Sequence, residues 1–87
     1  MARYISQHTL ACLTRQGAEE LGKRIAAATA VTAKRVLVNM QEVKMMAEFE
    51  AASREELEKW FVAEKFHFDW ILRVEFEFAE GTLRPLG

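Results

Sequence analysis

This 87-residue chain lacks most of the residues that announce a chemistry. A single cysteine, Cys12, excludes an internal disulfide and a zinc site built from several thiolates. One proline and four glycines leave few fixed punctuation points, and Gly17 and Gly22 do not have phosphate-loop spacing. No apolar run approaches the roughly 20 residues of a membrane span. The opening Met1-Ala2-Arg3-Tyr4 lacks the apolar core of a leader peptide, so a cytoplasmic protein with no membrane partner is expected. Neither sign of charge dominates: 12 Lys and Arg face 13 Asp and Glu. Without a basic stripe for a phosphate backbone, nucleic acid is not an expected partner. No internal repeat or low-complexity tract is present.

Apolar side chains, by contrast, are plentiful at 51%. A chain of this length holds one core, and a core this small leaves little margin, so the apolar surplus points to a subunit interface. Residues 1–79 are expected to form the domain and 80–87 a tail, marked by Gly81 and Pro85.

Alternation and capping signals organise the chain. Arg3 to Ala11 reads as a first strand, with Tyr4, Ser6, His8, Leu10 and Cys12 on one face and Ile5, Gln7, Thr9 and Ala11 on the other. Neither face wins on composition. Thr14 is placed to cap a helix whose apolar stripe is Ala18, Leu21, Ile25 and Ala28. Lys34 to Asn39 reads as a second strand, and Asn39-Met40-Gln41-Glu42 as a hairpin turn into a third. That third strand alternates Val43, Met45, Ala47 and Phe49 against Lys44, Met46, Glu48 and Glu50. Ser53-Arg54-Glu55-Glu56 matches a capping box opening a second helix with Leu57, Trp60 and Phe61 on one side. A last strand alternates Trp70, Leu72, Val74, Phe76 and Phe78 against Ile71, Arg73, Glu75 and Glu77.

Strand, helix, strand, strand, helix, strand is the split ferredoxin-like βαββαβ arrangement. An α+β domain is therefore expected, a four-stranded antiparallel sheet with two helices on one face. The helix stripes call for the apolar rows of the third and last strands as partners. An acidic row of Glu48, Glu50, Glu75 and Glu77 would then line the open face and serve as a salt-bridged dimer seam.

The run from Ala47 to Leu57, followed by Trp60 and by Ile71-Leu72-Arg73-Val74-Glu75-Phe76, resembles the second half of dimeric α/β-barrel proteins. It is similar to muconolactone isomerase-like proteins and to small uncharacterised families of that superfamily. The resemblance covers about 30 positions in residues and the whole chain in element order. It implies a homodimer through the open sheet face, with a partly enclosed cavity between sheet and helices, and it carries over no catalytic motif.

Several residues are candidates for chemistry. His8 could ligate a metal or move protons if Glu48 or Glu75 came near it; otherwise it is a hydrogen-bonded histidine of the sheet. His67 and Asp69 share a face of an extended segment and could pair at a pocket mouth; otherwise the aromatic loop plugs the core. Crowded glutamates could have raised pKa values. Cys12 near a helix start could be an activated thiol or a small buried side chain. Trp60, Phe66, Phe68 and Trp70 are expected to line a sheet–helix pocket for a small organic molecule. An isomerase or cofactor-free oxygenase-like enzyme with a His or Glu base is the alternative, and a purely structural or assembly role a third. Neither a metal nor a cofactor is expected.

Overall fold

A computed structural model describes residues 1–11 and 14–86, so the reading of Cys12 lies outside the described residues. Thr14 and Ser53 set the two helices. The Thr14 side chain accepts from the Gly17 amide and starts α1, Arg15–Ala26. The Ser53 side chain accepts from the Glu56 amide and starts α2, Arg54–Ala63. Each hydroxyl satisfies an amide that has no partner within its helix. Only half of the expected capping box forms, because the Glu56 carboxylate turns to Lys59, 3.8 Å away.

Four strands, β1 (Ala2–Thr9), β2 (Thr32–Asn39), β3 (Lys44–Ala51) and β4 (Trp70–Val74), form one antiparallel sheet in the order β2-β3-β1-β4. The turn between β2 and β3 falls where the polar break predicts it. The Asn39 side chain accepts from the Glu42 amide and donates to the Glu42 carboxylate. Val43 takes a positive φ of 50° to bring the chain round.

The core lies on one face of this sheet. Tyr4, Ser6 and His8 of β1, Met45, Ala47, Phe49 and Ala51 of β3, and Ile71 of β4 meet Ile25 of α1 and Leu57 and Phe61 of α2. Phe61 is the hub. Its ring lies 5.1–5.7 Å from those of His8, Phe49, Trp60, Phe66 and Phe68, in edge-on and tilted geometries that aromatic quadrupoles favour.

Two expectations are overturned. The plain ferredoxin-like βαββαβ domain is not what forms, because the chain continues past β4 into β5 (Phe76–Ala79) and β6 (Thr82–Pro85), a separate two-stranded sheet. The last strand breaks at Glu75 instead of running to Phe78. Glu80 and Gly81, with φ of 53° and 82°, then fold the chain back on itself.

β4 also faces the other way. Tyr4 pairs with Arg73 and Ser6 with Ile71, and residues directly opposite on neighbouring strands share a face. Ile71 is accordingly 6% exposed, whereas Leu72 is 57% exposed. The row Trp70, Leu72 and Val74 lies on the face that carries no helix. Phe66 and Phe68, entering from the loop before β4, supply the aromatic packing expected of Trp70.

Candidate functional site

His8 is fully buried at the centre of the core, and both ring nitrogens are engaged. Nδ1 lies 2.7 Å from the His67 carbonyl and Nε2 lies 2.8 Å from Ser6 Oγ. A carbonyl only accepts, so Nδ1 carries the proton and Nε2 of the neutral ring accepts from the Ser6 hydroxyl. Phe66 stacks on the imidazole at 4.2 Å and Phe61 meets it edge-on. Burial lowers the pKa of His8; the hydrogen bond to the His67 carbonyl and the charge of Asp69 oppose that shift, and the His67 side chain adds to it. Serine, histidine and a third orienting group are the parts of an activated nucleophile. Here, however, Ser6 is fully buried too, and its hydroxyl also lies 3.5 Å from the Ala47 carbonyl. The cluster is thus a satisfied polar link within the core.

The same loop anchors to the outside of β1. The Asp69 amide donates to the Gln7 carbonyl at 2.7 Å. The Asp69 carboxylate accepts from Thr9 Oγ1 at 2.6 Å and from Gln7 Nε2 at 3.4 Å, and Lys44 Nζ donates to the same threonine at 2.8 Å. The Thr9 hydrogen bond, above all, keeps the Asp69 carboxyl below its ordinary pKa. His67 points outward, with Nε2 3.9 Å from Asp69 Oδ1. The expected His67–Asp69 pairing is therefore only a loose surface contact. Neither Glu48 nor Glu75 reaches a histidine through a hydrogen bond or ion pair, and among the described residues no cluster of three or more His, Cys, Asp or Glu side chains could hold a metal.

The acidic row is not a single feature. Glu48 and Glu50 sit on the open face of β3, each between two cations. Arg3 and Arg35 both lie 3.4 Å from Glu48, while Arg3 at 3.2 Å and Lys34 at 3.4 Å flank Glu50. Hydrogen bonds from Arg3 and Lys34 lower the pKa of Glu50, the opposite of what crowded carboxylates would do. Glu75 follows β4, and Glu77 pairs with Arg84 across the separate hairpin. The four ligand-lining candidates are likewise divided. Trp60 borders a depression of about 450 Å³ with Arg24, Ala27, Ala28, Thr29, Ala30 and Glu64. Phe66 and Phe68 border another, of about 430 Å³, beside Phe61 and His67. Trp70 lies on the opposite face of the sheet.

The register builds that opposite face row by row. Leu37, Met46, Gln7 and Trp70 lie side by side, followed by Arg35, Glu48, Ile5 and Leu72, and then by Thr32, Glu50, Arg3 and Val74. Its centre is a hollow of about 130 Å³ lined by Ile5, Arg35, Leu37, Met46, Ala47 and Glu48. Such a volume lies well under the ≈ 300–1,000 Å³ of small-molecule sites. Comparison with known proteins adds no assignment. No family model, curated protein or solved structure matches the chain. Among the described residues, no helix is long and apolar enough to cross a membrane. The open face is the surface that sequence reasoning misjudged most: it is half apolar, and the signal was the unresolved facing of β1, which sets that of β4.

Proposed function

We propose that this chain works as a self-associating subunit, pairing open sheet face to open sheet face in a homodimer, and that its role is assembly. The apolar column Trp70, Leu72 and Val74 on the helix-free face carries this reading. Leu37 and Met46 extend the apolar surface at the far corner. A monomer that left these side chains in water would forgo the burial that stabilises so small a domain. The central charges suit a second copy as well. Arg3, Lys34 and Arg35 alternate with Glu48 and Glu50, so a two-fold mate can set cation against carboxylate without a net clash. A homodimer is also what the resemblance to dimeric α/β-barrel proteins implies.

Light scattering on the eluting full chain tests it. A species of twice the 10.0 kDa chain mass is expected, with Leu72→Glu returning it to one chain mass, because a buried, unpaired carboxylate replaces an apolar contact. A wild-type protein that elutes at 10.0 kDa throughout the micromolar range would overturn the reading.

A further inference from the structure

The chain beyond β4 is an amphipathic arm. Glu80 and Gly81 both take positive φ, the two-residue turn geometry whose twist matches that of paired strands. Phe76 pairs with Pro85 and Phe78 with Leu83, which places all four on one face of the hairpin. Glu77 with Arg84 and Ala79 with Thr82 occupy the other face. The Leu86 amide donates to the Glu75 carbonyl at 2.8 Å, carrying the pairing back to the residue that follows β4. No hairpin residue belongs to the core, and Phe78 is 70% exposed, with Phe76 and Leu83 also exposed. A lone two-stranded hairpin is marginal in water, so this apolar face needs a cover.

We propose that a second copy of this chain provides the cover: each hairpin is an arm whose Phe76, Phe78 and Leu83 face packs against the partner subunit, reciprocally about a two-fold axis. The proposal rests on the self-association reading above and adds a second set of contacts to it. Surface area supports it. The chain exposes 5951 Å², whereas a folded monomer of its mass exposes about 5,200 Å². The excess of about 700 Å² is close to the ≈ 800 Å² that each partner contributes to a stable interface. Shape agrees: the radius of gyration is 13.5 Å, against about 12 Å for a compact chain of this length.

Charge narrows the occupant further. The apolar face of the arm carries no ionic group, and Arg84 is held by Glu80 on the same hairpin, so apart from the single carboxylate of Glu77 on the other face the arm has no charge to select a strongly acidic or basic partner. Two copies of a chain with net charge −1 scarcely repel each other. The core of the chain itself offers no place for the arm, since α1 and α2 already cover the inward face of the sheet.

Sedimentation equilibrium of the full chain, its Phe76→Ser/Phe78→Ser variant and its Leu72→Glu variant tests the arm. Both phenylalanines are exposed, so the double serine variant is expected to keep the wild-type far-UV spectrum while its dimer dissociates about tenfold or more readily. Amide hydrogen exchange gives a second readout that needs no substitution: protection of residues 76–85 should rise with protein concentration. A wild-type monomer overturns both the arm and the sheet seam. A wild-type dimer weakened by Leu72→Glu but not by the serine pair, with residues 76–85 exchanging freely, overturns the arm alone. Weakening by the serine pair with Leu72→Glu silent supports the arm and removes the sheet seam.

Discussion

At the scale of single residues, His8 joins the two halves of the core. Its ring ties β1 to the loop before β4 through the His67 carbonyl, and Phe66 closes over it. Burial favours the neutral ring in the folded chain, whereas in the unfolded chain it titrates near its ordinary value of about 6.5. The folded pKa is therefore the lower one. The stability this contributes is complete above the unfolded value and is lost as pH falls through the folded value. The urea midpoint is accordingly expected to drop between about pH 7.5 and pH 5, with His67→Gln retaining most of the drop, because burial is the main cause of the His8 shift and the His67 side chain outside the core adds only the smallest part. Disappearance of the drop in His67→Gln would assign the effect to the wrong histidine. Asp69 and Glu50, whose pKa values lie below the ordinary carboxylate range, lose their contributions only at more acid pH, so they do not confuse this window.

At the scale of elements, the helices depend on their first residues more than on intrinsic propensity. α2 has only ten residues, too few to be stable alone, and it is held by the Ser53 cap and by Leu57 and Phe61 in the core. Ser53→Ala is expected to cost about 1 kcal/mol, read as a fall of roughly 4–8 °C in thermal midpoint, whereas Glu56→Ala should change little because its carboxylate does not return to the cap. Equal losses in the two variants would restore the reciprocal capping box. Both caps and the Asn39–Glu42 turn were legible because they depend on side chains three residues apart. The facing of β4 was not. Its apolar row Trp70, Leu72 and Val74 reads as a core row, but pairing with β1 fixes its face, and β1 is ambiguous by composition.

At the scale of the whole molecule, the exposed apolar sheet column and the hairpin arm pose the same problem twice. Both leave large apolar side chains in water on a domain with a small core. A subunit contact that covers them would couple folding to assembly. The thermal midpoint of the wild-type protein is then expected to rise with protein concentration, by mass action, while that of Leu72→Glu stays constant. A midpoint independent of concentration in the wild type would mean that the folded chain is stable without a partner. The ion pairs of Arg3, Lys34 and Arg35 with Glu48 and Glu50 fix the register of such a contact more than its strength, since partly exposed pairs contribute little.

The sequence by itself determined the local matters: two capped helices, the β2–β3 turn, the inward row Met45, Ala47 and Phe49, and an α+β domain built on a four-stranded antiparallel sheet. These follow from spacings of two to four residues, over which backbone geometry alone decides which side chains meet. Tertiary structure decided which face of β4 is buried, that Glu48 and Glu50 are separated from Glu75 and Glu77, that His8 is sealed between Ser6 and His67, and that the last residues form a hairpin of their own. Each of these depends on strand register between segments up to about 70 residues apart, where a slip of one residue exchanges the two faces.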